Sequence, residues 1–222
     1  MTIDNDDLIN SIIASLGRID NISLSDIPGI DLYMDQLTTF MDDRLKKTTR
    51  HPETDKILTK TMINNYAKND LLPPPVRKKY SKDHVILLIF IYYLKNILSI
   101  NDIQTLIEPL KQRFHVSDDE FNLSKIYETA YELQSEELEP VIEDLKKKYS
   151  RSLETFEDEN IDDEEKKRMQ MFSFIALLSY DVYVKKLLIE KILDNVNAKE
   201  EEKKVAEKAK AKNKDKNKEK NK

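Results

Sequence analysis

The sequence predicts an all-helical protein. No segment of the 222-residue chain alternates apolar and polar residues with the period of two that a half-buried strand requires. Apolar residues instead recur at helical spacing, and serine or threonine precedes several of these segments, as is typical of helix N-caps. Hydrophobic residues make up 39% and charged residues 36% of the chain, which predicts a modest core and a large solvated surface.

The N-terminal half is predicted to form five helices. The first is amphipathic and ends before a turn at Pro28 and Gly29. The fourth is apolar on nearly every side, so we expect it at the centre of the core. The polar stretch 46–55 is predicted to be a loop. The predicted helices cover residues 4–16, 31–45, 59–69 and 81–96 and a short segment after Ser99.

The C-terminal half is more acidic. Ser117 and Glu120 stand three residues apart before an apolar run, which predicts a capping box and a helix to about residue 133. Another helix is predicted over 138–151, with Pro140 in its first turn. The last ordered helix is predicted over 163–195. Residues 198–222 form a Lys-rich tail with few apolar residues, so we expect disorder there.

Composition argues against several function classes. Two glycines cannot build a Gly-rich phosphate loop, and the absence of cysteine excludes thiol chemistry. The three histidines have no metal-binding spacing, and the carboxylates cluster at helix starts. We therefore expect no cofactor, no metal and no enzyme activity. The first residues are acidic and no apolar run approaches about 20 residues, so we expect a cytoplasmic protein without membrane contact.

The strongest functional signal is a concentration of positive charge. Residues 56–82 carry a net charge of +6 in a chain whose total is −5, so the remainder sums to −11. A local basic segment in an acidic protein indicates a phosphate-binding site. The segment also reads as a short polar helix, three prolines and a basic turn.

This order of residues resembles the DNA-binding domain of the MerR family of transcriptional regulators. In that family a recognition helix is followed by a Gly-Leu-Leu-Pro pattern, a basic wing and a Tyr-Ser helix start. The matching positions here are Ile63-Asn64-Asn65-Tyr66, Leu71-Leu72-Pro73-Pro74, Arg77-Lys78-Lys79 and Tyr80-Ser81-Lys82-Asp83. The segments 31–36 and 80–82 also resemble an uncharacterised bacterial family with a MerR-like region, known as a domain of unknown function.

The resemblance implies a winged helix-turn-helix domain over residues 31–110, after an N-terminal helix and turn over 1–30. A C-terminal helical bundle would cover 117–197. The recognition helix, 59–69, would enter the major groove, and Arg77–Lys79 would grip phosphates. The residues expected to contact DNA are Lys60, Asn64, Asn65, Lys68, Arg77, Lys78 and Lys79.

Three positions depart from the MerR pattern. Asn64 stands where that family has arginine, and asparagine can still pair with adenine. Asp70 replaces a glycine and must adopt a left-handed turn at some cost. The loop 46–55 is much longer than the three or four residues of a helix-turn-helix turn.

The sequence therefore predicts a transcriptional regulator that binds double-stranded DNA. A homodimer through the C-terminal helices is expected, although the apolar residues of the last helix fit a bundle core equally well. The alternative is a protein–protein interaction module that keeps the winged-helix fold and does not bind DNA. The sequence specifies no operator, no direction of regulation and no small-molecule effector.

Overall fold

The protein is mostly helical. The computed structural model describes residues 5–16, 21–117 and 120–219. Within those residues, short 3₁₀ turns lie at Leu24–Asp26 and Lys46–Thr48. The main elements are α1 (Asn5–Leu16), β1 (Leu32–Tyr33), α2 (Met34–Leu45), α3 (Lys60–Lys68), β2 (Lys79–Tyr80), α4 (Lys82–Leu94), α5 (Ile100–Lys111), α6 (Leu123–Leu153) and α7 (Asp163–Glu219).

Two short strands are the exception to the all-helical prediction. Leu32 pairs with Tyr80 and Tyr33 with Lys79 in an antiparallel ladder. The second helix therefore begins at Met34 instead of near residue 31, because the preceding residues use their backbone groups to hold the basic turn. Two-residue strands are too short for a period of two to appear in the sequence.

The centre of the main core is α4, as predicted. Residues 85–89 and Ile91 are at most 1% exposed. Side chains from α2, α3 and α5 surround this helix, and Leu123 and Tyr127 of α6 and Leu193 of α7 join the same cluster. Both C-terminal helices therefore contribute to the core that supports α3 and the basic turn.

The predicted division of residues 117–151 into two helices is wrong. A single helix, α6, runs from Leu123 to Leu153 and contains Pro140 in its interior. Its N-cap is Asn122, whose side chain accepts a hydrogen bond from the Lys125 amide at 3.0 Å, so Ser117 does not cap the helix. Proline lacks the N–H that would bond four residues back. The helix continues because Leu138, Ile142 and Leu145 beside it pack in a second apolar cluster.

That second cluster joins α1 to the C-terminal helices. Ile9 and Ile13 of α1 are buried against Ile142 and Tyr149 of α6 and Phe174 of α7. The rings of Tyr149 and Phe174 meet edge to face with centroids 5.2 Å apart. The predicted amphipathic face of α1 therefore packs only in part, because Leu8 and Ile12 of that face remain 42% and 46% exposed.

The backbone of α7 continues to Glu219, so the expectation of a disordered tail differs from the structure. Alanine, lysine and glutamate, which dominate this stretch, are strong helix formers and can extend a helix that packing has already started. Residues 220–222 lie outside the described part. None of the described helices combines the length and apolar character that crossing a membrane requires.

Candidate nucleic-acid interface

The candidate recognition helix, α3, has one buried and one exposed face. Its N-cap is Thr59, whose hydroxyl accepts a hydrogen bond from the Met62 amide at 3.1 Å, as predicted. Ile63 and Tyr66 are buried in the main core. The opposite face is polar and solvent-exposed, and it presents Asn64, Asn65 and Lys68.

Lys60 differs from the other predicted contact residues. Its ammonium group forms an ion pair with Asp35 near the start of α2. Both side chains are exposed, so the pair is weak and exchangeable. A phosphate would have to compete with this carboxylate for Lys60, whereas the described residues contain no ion pair to Lys68.

The end of α3 is fixed by a Schellman motif. Asp70 has a φ of 56°, which is the left-handed conformation expected where it replaces glycine. The amides of Leu71 and Asp70 donate to the carbonyls of Tyr66 and Ala67, at 2.9 and 3.4 Å. Leu71 is 1% exposed, so the turn ends in the core. The direction of the chain leaving α3 is therefore well defined.

Lys111 of α5 secures this turn, a contact that the sequence did not predict. Its ammonium group donates to both the carbonyl and the carboxylate of Asp70 at 2.8 Å, and it pairs with Glu108 at 2.6 Å. Burial lowers the pKa of Lys111, but the hydrogen bonds to Asp70 and Glu108 outweigh this effect, so the net pKa is raised. The side chain is a positioning element for α3 and is not available to a ligand.

The basic turn is a two-residue β-hairpin. The amides of Val76 and Lys79 donate to each other's carbonyls at 3.1 and 3.0 Å. Between them, Arg77 and Lys78 have φ values of 51° and 64°. A two-residue hairpin with both central φ values positive is a type I′ turn, in which asparagine and glycine are the preferred residues. Two long basic side chains are therefore held where the backbone disfavours them.

The hairpin is anchored through its second strand, β2. Tyr80 is buried and pairs with Leu32 of β1, and the Lys79 ammonium lies 5.2 Å from the centroid of the Tyr33 ring. Arg77 and Lys78 are exposed at the tip, and neither forms an ion pair within the described residues. The sequence predicted a basic turn here, but nothing in Arg-Lys predicts its left-handed conformation.

His84 supports the base of the hairpin from the first turn of α4. Its Nδ1 atom accepts a hydrogen bond from the Ser81 amide at 2.9 Å, and the side chain is 1% exposed. The ring packs edge to face against Tyr80 and Phe114. Burial lowers the pKa of His84, partly offset by the nearby Pro74 carbonyl. The sequence did not predict the complete burial of this histidine.

A second exposed surface lies on α7, away from the face that packs on α6. Phe174 and Gln170 are buried, whereas Phe172, Tyr180 and Tyr183 are 65%, 67% and 60% exposed. At 3.6 residues per turn these aromatic residues share one side of the helix. We define the α7 stripe as Met169, Phe172, Ala176, Tyr180, Tyr183 and Leu187. The first half of α7 is therefore apolar on two opposite faces, only one of which is covered.

The candidate site lies within a segment of the chain that matches a family model. No curated protein and no solved structure gave a significant match to the chain. The matched segment begins before the 3₁₀ turn at Leu24, includes α3, the basic hairpin, α4 and α5, and ends within α6. Residues 22–130 of the chain match the model of the family described as a domain of unknown function, DUF1836.

Proposed function

We propose that the protein binds double-stranded DNA and regulates transcription, with α3 in the major groove and the basic hairpin on the flanking phosphates. The observation that supports this proposal most is the type I′ turn built from Arg77 and Lys78. Asparagine and glycine would adopt this turn with less backbone strain. Residues in strained backbone conformations cluster at functional sites. Here the residues responsible for the strain place two positive charges at an exposed tip, and neither charge is ion-paired within the described residues.

The exposed face of α3 supplies groups suited to base edges. The side chains of Asn64 and Asn65 offer both donors and acceptors, and asparagine can bond adenine with both at once. Lys68 on the same face adds a cation for a phosphate. Because Ile63 and Tyr66 fix the rotation of the helix against the core, these polar groups are presented in a defined direction.

The helix and the turn are close enough to meet one DNA site. Arg77 follows Asn69 by eight positions, so their Cα atoms are at most roughly 29 Å apart even in a fully extended chain. One turn of DNA spans about 34 Å. A single duplex segment can therefore contact α3 and the hairpin together.

We also propose that the DNA-binding form is a homodimer paired through the α7 stripe. Its three aromatic side chains can each bury about 150–250 Å², and a stable interface takes about 800 Å² from each partner. A single module with so few cations would bind weakly at physiological salt, and two modules in one dimer would double the number of phosphate contacts.

The experiment is a salt titration of duplex binding. Fluorescence anisotropy with AT-rich and GC-rich duplexes measures the affinity of the wild type and of Arg77→Gln/Lys78→Gln, which removes charge without changing the demand on the backbone. We expect log K to fall with log salt, with a slope whose magnitude decreases by about 2 in the double variant, or roughly 0.9 for each lost contact.

The control is Lys147→Gln/Lys167→Gln, which removes two exposed lysines from α6 and α7. This variant should keep the wild-type slope. No binding by the wild type at low salt, or equal slopes for both double variants, would contradict the proposal.

The alternative function is a protein-binding module. Two observations favour it: Lys60 already pairs with Asp35, and the α7 stripe offers a large uncovered apolar surface. Such a module would retain its protein partner when Arg77 and Lys78 become glutamine, whereas a regulator would lose its DNA.

A further inference from the structure

A polar cleft lies between the long α2–α3 connection and the end of α4, away from the residues assigned to DNA. Its volume is about 390 Å³, within the usual range of small-molecule sites. Arg50 and Lys56 line it from the connection, and Tyr92, Lys95 and Asn96 line it from the end of α4. The cleft exists because this connection is longer than a helix-turn-helix turn.

Lys95 is the central feature of the cleft. Its ammonium group donates to the Ile57 carbonyl at 2.8 Å and lies 4.8 Å from the centroid of the Tyr92 ring. Burial lowers the pKa of Lys95, and the described residues contain no acid within ion-pair distance of it. A partly buried ammonium group with two remaining N–H donors and no counter-ion is a favourable place for an anion.

Two more cations share the cleft. Arg50 and Lys56 are exposed, and neither forms an ion pair within the described chain. The one acid in the lining is Asp55, whose carboxylate accepts a hydrogen bond from the His51 amide at 3.0 Å. The lining therefore carries a net charge of +2 when all four groups are ionised.

The hydroxyl groups that line the cleft already donate hydrogen bonds within the protein. Thr48 and Thr49 donate their hydroxyl protons to the carbonyls of Leu45 and Lys46. Because Thr48 has no second proton, the Tyr92 hydroxyl is the donor in their 2.8 Å contact. The donors left for a ligand are those of Arg50, Lys56, Lys95 and the Asn96 amide, so the ligand must be an acceptor with negative charge.

We propose that this cleft binds a small molecule that carries a phosphate group or a similar doubly charged oxyanion. The site is separate from the proposed DNA contacts but close to them in sequence. Lys95 bonds Ile57, two residues before the N-cap of α3, so an anion that draws Lys95 into the cleft acts next to the start of that helix.

The test uses inorganic phosphate and pyrophosphate as probes, titrated into the full-length protein at constant ionic strength. We expect saturable shifts of the NMR amide signals of residues 48–57 and 92–96. The variants Arg50→Gln and Lys56→Gln should each weaken pyrophosphate binding about tenfold while leaving the melting temperature unchanged. Lys95→Gln should weaken binding further, but this variant also loses the contact to Ile57.

The matched control is Lys47→Gln, which removes an exposed lysine from the same connection outside the cleft and should bind as the wild type does. Absence of saturable binding, or equal binding by all variants, would overturn the proposal. The proposal would also be overturned if neither probe bound and Arg50→Gln/Lys56→Gln reduced the salt slope of DNA binding. The cleft would then contact the DNA backbone. None of these outcomes depends on whether Arg77 and Lys78 contact DNA.

Discussion

Individual backbone angles identify the candidate site more sharply than composition does. Five non-glycine residues of the described chain have positive φ, and three of them are Asp70, Arg77 and Lys78. Left-handed backbone costs an ordinary residue about 1–2 kcal/mol. The hydrogen bonds from Lys111 offset this cost at Asp70. The described structure gives Arg77 and Lys78 no such partner.

His84 makes the stability of this region dependent on pH. The neutral ring accepts the Ser81 amide proton at Nδ1, and protonation would replace that acceptor with a donor. Its folded pKa is lowered by burial, so the unfolded chain takes up a proton first as the pH falls. The contribution of His84 is therefore complete above its unfolded pKa of about 6.5 and is lost at lower pH.

Denaturant unfolding between pH 7.5 and pH 5 measures this effect. We expect the wild type to lose stability towards pH 5 and His84→Gln to lose less, because glutamine at this position completes a capping box without titrating. The other ionisable groups beside the ring are Asp83, His115 and Tyr80. His51→Gln, which removes an exposed histidine from the α2–α3 connection, is the control and should keep the wild-type pH dependence. Identical profiles for His84→Gln and the wild type would exclude this role.

At the scale of elements, helix starts and the core were the most predictable features. Thr59, Ser81 and Ser99 are N-caps as predicted, because a cap needs only a suitable side chain and the helix that follows it. The centre of the core was predictable because α4 has no polar face. The ladder between β1 and β2 was not, because it joins residues 46 or more positions apart in sequence.

Other elements were missed because packing overrides local signals. Pro140 was expected near a helix start, yet the apolar neighbours of α6 on both sides of it find partners along one continuous helix. In the candidate site, the polar face of α3 could be predicted because its polar residues recur with the 3.6-residue period of a helix. The pairing of Lys60 with Asp35 and the bonds from Lys111 to Asp70 depend on the tertiary fold and left no signal in the sequence.

The α7 stripe leads to a prediction about assembly. Tyr183→Glu places a charge in the middle of the stripe and should convert the proposed dimer to a monomer, because an unpaired carboxylate is costly to bury. Leu188→Glu is the matched control: Leu188 is also apolar and 59% exposed, but it lies about 140° around the helix from Tyr183. Sedimentation velocity at micromolar concentration should show a monomer only for Tyr183→Glu, and a monomeric wild type would refute the proposed interface.

For the molecule as a whole, the proposed function sets fold stability against partner binding. The core from α2 to α5, closed by the start of α6 and the middle of α7, supports a hairpin whose tip residues weaken the fold. A sequence selected only for stability would place asparagine and glycine in this type I′ turn. Replacing Arg77 and Lys78 therefore separates the requirement for a stable fold from the requirement for partner binding.

The most direct measurement compares the wild type with Arg77→Asn/Lys78→Gly in both unfolding and duplex binding. We predict that the variant is more stable by roughly 1–2 kcal/mol and yet binds DNA more weakly, with a salt slope smaller by about 2. Loss of binding in a protein that has become more stable cannot be attributed to misfolding. A variant that gains stability and keeps the wild-type affinity and salt slope would contradict the claim that the basic turn contacts DNA.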